Sequence, residues 1–173
     1  MLILLLLTAL QTTTPLAEAL SGIDNVLSER ELAKLSRNPA ADLAALARDS
    51  NERAHVRARA TQSLSRFADE NTQLTVAGLT TDPVARVRLA ATKVVARWAC
   101  RPQMGLSQAV LTAMDRALTG TDLAVQLQAI RAFGAVNNSV YPGARQRLLD
   151  LYRASTSEPL RHAIAAALTI DRE

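Results

Sequence analysis

The stretch from Asp82 to Trp98 reads DPVARVRLAATKVVARW, and its pattern decides the fold. Val84, Val87, Ala91, Val94, Val95 and Trp98 recur at steps of three, four and seven residues, which sets them on one stripe of an α-helix. Asp82 is a favourable N-cap, and Pro83 suits a first helical position, where a missing N–H costs nothing. The same frame recurs. Val56-Arg57, Ala60 and Leu64 repeat the spacing of Val87-Arg88, Ala91 and Val95, Val125-Gln126, Ala129 and Phe133 repeat it again, and Leu160-Arg161, Ile164 and Leu168 give a looser fourth copy. The register advances by 31, then 38, then 35 residues, a period that predicts an array of helical repeats.

Composition agrees. The 173 residues suit one compact domain or one short solenoid, and they are 49% hydrophobic but only 3% aromatic. Alanine and leucine dominate, which favours closely packed helices over sheets. All six prolines fall at plausible helix boundaries, most clearly in Asn38-Pro39, Asp82-Pro83 and Tyr141-Pro142. The net charge of +4 is carried almost wholly by arginine, because Lys34 and Lys93 are the only lysines.

The N-terminus reads differently. Leu2 to Leu10 is an apolar block too short to span a bilayer, which takes ~20 residues. Gln11-Thr12-Thr13-Thr14, Pro15 and the A-x-A pattern Ala17-Glu18-Ala19 follow it. Together they predict a secretory signal peptide over 1–19, cleaved after Ala19, and therefore an exported protein, periplasmic or secreted. The mature chain then holds no stable membrane span. One element of such a leader is missing, since no Lys or Arg precedes the apolar block. Residues 20–37 are expected to form an N-terminal capping helix, from Asp24 to Leu35. Residues 38–173 form the solenoid, as pairs of helices joined by polar turns such as Asp49-Ser50-Asn51 and Thr119-Gly120-Thr121-Asp122. No stretch alternates with period two, so the expected class is all-α with about four helix pairs.

The copies in the second helices resemble HEAT-like repeats, particularly the short bacterial kind also found in phycobilisome-lyase-type proteins. Asp82-Pro83, Val87-Arg88, Ala91 and Val95 carry the resemblance, matching the pattern D-P-x-x-x-V-R-x-x-A-x-x-x-[LV], which Val56, Arg57, Ala60 and Leu64 follow closely. The third copy has Gln126 in place of the arginine, and the fourth lacks the aspartate. The resemblance, over roughly residues 38–170, implies a right-handed superhelical solenoid of antiparallel helix pairs. It also implies that Arg88 pairs with Asp82 or with an acid of a neighbouring repeat, and that second helices line the concave face. It is specific for architecture and weak for activity.

The search for chemistry is mostly negative. His55 and His162 lie in separate repeats with no convergent ligand spacing, and each reads as a solvated helix residue. Cys100 stands alone, so it is either a small buried hydrophobe at a helix end or a free thiol. No phosphate loop, nucleophile elbow or HExxH is present, so no catalytic, metal or cofactor residues are assigned, and a non-enzymatic protein is expected.

One surface feature remains. On an ideal helical wheel Arg86, Lys93, Arg97 and Arg101 fall within about 80° of one another, beside the Val/Trp stripe. Neighbouring repeats add Arg66 and Arg131 at matching frame positions. The resulting expectation is a protein-interaction scaffold whose partner is another protein, binding through an acidic segment on the concave strip of Arg66, Arg86, Lys93, Arg97 and Arg131. The alternative, binding of nucleic acid or another polyanion on the same strip, is disfavoured by export. A tetrapyrrole lyase or lyase chaperone is suggested by the repeat resemblance only.

Overall fold

The computed structural model describes residues 14–22, 27–101, 103, 105–136 and 141–169. Among them every regular element is a helix: α1 (Pro15–Ser21), α2 (Glu29–Leu35), α3 (Pro39–Arg48), α4 (Ala54–Ser63), α5 (Glu70–Leu79), α6 (Ala85–Ala99), α7 (Gln108–Thr119), α8 (Leu123–Ala135), α9 (Ala144–Ala154) and α10 (Glu158–Thr169). A single 3-10 turn, Leu64–Arg66, prolongs α4.

Short polar side chains start most of these helices. Asn38, Asp69, Ser107 and Asp122 each accept a backbone N–H from the first turn of α3, α5, α7 and α8, satisfying donors that have no partner within the helix. Ser28 and Glu31 cap each other's ends at α2. That helix therefore begins later than its expected start, and Asp24 lies outside the described residues.

Helix α6 departs from expectation at its first turn. Its N-cap is Val84, with no side-chain cap, and Pro83 precedes the helix. Asp82 is held back by a different task. Its Oδ1 accepts the Val84 N–H at 2.9 Å, closing an Asx turn, while Oδ2 is taken by Arg57 of the preceding repeat.

The pairs α3/α4, α5/α6, α7/α8 and α9/α10 build four repeats in two layers. First helices α3, α5 and α7 stack on one side, and second helices α4, α6, α8 and α10 stack on the other. The apolar stripe read from the sequence lies between them. Val87, Ala91, Val95 and Trp98 are buried, as are Val56, Ala60 and Leu64 one repeat earlier, whereas Phe67 is only partly covered. Close approach of the second helices depends on small residues. A Cβ at Gly134 in α8 would sit 2.7 Å from the Ala167 Cβ of α10, nearer than packed atoms come.

The linker before α7 is pinned by one side chain. Buried Gln73 donates to the carbonyls of Ala68 and Gly105 at 2.9 Å, and its Oε1 accepts the Ser107 N–H at 2.7 Å. At the other end of the molecule, α1 packs on α4 and contributes buried Leu16, Ala17 and Leu20 to the core. Arg59 donates to the Leu20 carbonyl at 3.0 Å. The junction expected to be cut, Ala19–Leu20, thus lies within this packed helix.

Candidate binding surface

The arginine of the repeat frame links one repeat to the next. Arg57 donates through Nε to the Ala47 carbonyl at 3.0 Å and through its guanidinium to both carboxylate oxygens of Asp82. Both side chains are more than nine-tenths buried. One repeat on, Arg88 donates to the carbonyls of Asp82 and Pro83 at 2.8 and 2.9 Å and to Asp122 Oδ2 at 2.9 Å. The Arg88 hydrogen bond holds the Asp122 carboxyl below the usual carboxylate range. Of the two acids the repeat resemblance offered to Arg88, the one bound through its carboxylate is therefore that of the following repeat. In the third repeat Gln126 donates to the Leu118 carbonyl at 3.3 Å, keeping the contact to its own turn. An uncharged amide offers no ion pair to a following repeat, and the fourth repeat lacks the aspartate.

These pairings assign Arg57 and Arg88 to the scaffold and leave a separate set of cations outside it. Helix α6 is covered by α4 and α8 on its flanks and by α5 and α7 beneath, so only one face meets solvent. Arg86, Lys93 and Arg97 are exposed on that face, within about 40° of one another on an ideal wheel. Arg131 is exposed on α8, which is flanked in the same way by α6 and α10, and Arg66 is half-buried at the end of α4. Arg97 donates to Ser65 Oγ at 3.0 Å, and the neighbouring Trp98 donates its indole N–H to the Ser65 carbonyl at 3.1 Å. These bonds bring Arg97 beside the end of α4, where Arg66 sits. Arg66, Arg86, Lys93 and Arg131 form no ion pair among the described residues.

Acidic residues are missing from most of the second-helix layer, where α10 alone carries one, Glu158. The spans 54–66, 85–99 and 123–135, which make the first three second helices, contain no Asp or Glu. The first helices mix both signs, with Asp42, Glu70, Asp115 and Asp150 among their residues. Asp115 is bound by Tyr141 and paired with Arg147 at 3.1 Å, tying α7 to the start of α9. Burial and that carboxylate push the Tyr141 hydroxyl up to about 12, so it stays protonated.

The remaining candidates stay dispersed. His55 is half-buried on α4, and His162 is exposed on α10 near Tyr152 and Arg161. Cys100 is exposed at the end of α6, so of its two expected states the buried one is excluded. Its position follows the helical turn onto the solvent side of α6. A groove of about 870 Å³ runs along the opposite layer between α3 and α5, past Asn38, Arg48, Asp69 and half-exposed Leu74. Among the described residues no cluster of three His, Cys, Asp or Glu side chains is placed to hold a metal ion, and no helix is long and apolar enough to cross a membrane.

The architecture is that of an α-helical repeat solenoid of the HEAT and armadillo type. No protein-family model matches the chain, and no curated protein matches it. Solved structures do. The chain is similar to the complex of CpcE and CpcF of phycocyanin lyase from Nostoc sp. PCC7120, at a TM-score of 0.59 and 15% identity, over 89% of this chain and 96% of that one. It is also similar to a designed armadillo repeat protein in complex with the peptide (KR)4, at a TM-score of 0.56 and 18% identity, over 90% and 80% of the two chains. At these identities the likeness establishes the fold.

Proposed function

We propose that this chain is an exported, non-enzymatic binding scaffold, and that it holds a negatively charged protein partner on the solvent face of its second helices. The observation that carries the reading is an absence of acids: three successive second helices, α4, α6 and α8, contain no Asp or Glu, and two of them present Arg86, Lys93, Arg97 and Arg131 outward. A field of one sign over a stacked surface attracts and orients an oppositely charged partner. Arginines that merely solubilised the surface would call for no such absence, because mixed signs serve solubility as well. The similar solved structures support a polypeptide partner, one being a complex of two proteins and the other a complex with a peptide.

Charge reversal tests it. Arg86→Glu, Lys93→Glu and Arg97→Glu together are expected to leave helical content and Tm within a few degrees of the parent, since Arg86 and Lys93 lie outside the scaffold pairings and Arg97 gives up one hydrogen bond, to Ser65 Oγ. The same variant is expected to lose at least tenfold in affinity for polyaspartate at about 0.15 M salt, where screening acts over about 8 Å. Retained affinity at unchanged fold would refute the surface.

Export rests on the apolar block Leu2–Leu10 and the Ala17-Glu18-Ala19 pattern. N-terminal sequencing of the protein from its native host is expected to find Leu20 first. A cut there removes Leu16 and Ala17 from the core described above and leaves Leu20 at the new terminus, its carbonyl still the acceptor for Arg59. Recovery of an intact Met1 from the native host would count against export.

A further inference from the structure

We propose that the cationic strip takes an extended acidic segment laid across α4, α6 and α8, with carboxylates stepped to match Arg66, Arg97, Lys93 and Arg131. This rests on the preceding reading that the second-helix face is the binding surface, and it names the form the partner must have there.

The four cations form a path. Arg66 and Arg97 share one frame position in successive repeats, as do Lys93 and Arg131, each pair separated by its own repeat offset of 31 or 38 residues. The Arg97–Ser65 hydrogen bond makes the first step physical, because it fixes the Arg97 guanidinium against the residue preceding Arg66. The second step runs along α6 from Arg97 to Lys93, one turn or about 6 Å. The third crosses to Arg131 on α8, which packs directly against α6. Packed helices lie about 8–10 Å apart, so the path from Arg66 to Arg131 is about 25 Å long. An extended chain advances about 3.3 Å per residue. About seven residues therefore follow the path. Side chains alternate between the two faces of an extended chain, so carboxylates facing the strip recur at every second residue, and the long arginine and glutamate side chains take up the ~2–3 Å left at each helix crossing.

Other polyanions fit this face less well. Single-stranded nucleic acid binds through aromatic side chains on which bases stack. Trp98, Phe133 and Tyr141 are buried instead, Phe67 beside Arg66 is partly covered, and around the strip the surface carries exposed Ala124 and Ala135. The scaffold supplies charge in steps along a line, with small side chains flanking it, and an extended polypeptide with spaced carboxylates is the complement.

Two fluorescent peptides of identical composition separate spacing from charge. Both are twelve-residue chains of serine and glycine with four glutamates. In one the glutamates stand at every second residue; in the other they are consecutive at one end. Fluorescence anisotropy with the full chain at about 0.15 M salt is expected to show the stepped peptide binding at least fivefold tighter. Arg66→Gln and Arg131→Gln, which remove the two ends of the path, are each expected to weaken the stepped peptide roughly three- to fivefold and the clustered peptide less than twofold. Equal affinity for the two peptides would overturn the stepped path while leaving a general anion surface standing, provided the triple charge reversal still abolishes both. Loss of salt-dependent binding for both peptides and for polyaspartate would instead overturn the surface itself. Tighter binding of an oligo(dT) strand of equal charge than of the stepped peptide would overturn the polypeptide assignment.

Discussion

Trp98→Ala is expected to destabilise the chain by about 3–5 kcal/mol, read as a fall in denaturation midpoint without a change in slope. Trp98 is fully buried and heads the largest buried side chains, so truncation leaves a void that neighbours on two repeats fill only in part. Its indole N–H also satisfies the Ser65 carbonyl, an acceptor just past the end of α4. Trp98→Phe separates the two contributions. Most of the apolar volume remains and the hydrogen bond goes, so a loss of about 1–2 kcal/mol is expected. If Trp98→Ala cost under about 1 kcal/mol, the side chain would have to be exposed in solution, and the stacking of α6 on α4 described above would be wrong.

That residue also marks how far the sequence could be read. Trp98 belongs to a stripe with helical spacing, and the stripe recurs with the period of a helical repeat, so buried positions and helix pairing followed from local pattern alone. Asp82 shows where local pattern failed. A cap and an inter-repeat ion partner look alike in sequence, because both are an aspartate just before a helix. What distinguishes them is Arg57, 25 residues upstream and brought close by stacking. Ser28-Glu29-Arg30-Glu31 reads as a capping box, whereas the expected start at Asp24 follows an acid four residues before Ser28 that is equally suited to an N-cap. Helix α1 was obscured for another reason. Pro15 to Ser21 carries both a cleavage pattern and a packed apolar face, and only its contacts with α4 show the second.

The candidate surface was legible in its residues and illegible in its contrast. The wheel placed Arg86, Lys93 and Arg97 together, and the repeat offsets added Arg66 and Arg131. The absence of acids from 54–66, 85–99 and 123–135 was equally present in the sequence. It acquired meaning only when those spans proved to be three stacked neighbours in one layer, whose fourth member, α10, holds Glu158 in its first turn.

The two arginine–aspartate links between repeats have the same chemistry and should differ sharply in energy. Arg57 and Asp82 are 5% and 8% exposed, whereas Arg88 and Asp122 are 26% and 29% exposed. Removing one member of a buried pair strands a charge without water, at a cost of about 3–5 kcal/mol. Asp82→Ala is therefore expected to lose that much, and Asp82→Asn, which keeps an acceptor for the Val84 N–H, somewhat less. Asp122→Ala breaks a link that solvent already screens, and a loss of about 1 kcal/mol is expected, shared between the ion pair and the α8 cap. A double-mutant cycle isolates the pair term. Arg57→Met with Asp82→Ala is expected to cost clearly less than the two single losses added, because the second change removes a charge that the first left stranded. The same cycle on Arg88 and Asp122 is expected to be nearly additive. Additive losses at Arg57 and Asp82 would mean that the two charges stay hydrated in solution, and the junction between the first two repeats would then be held by its apolar contacts alone.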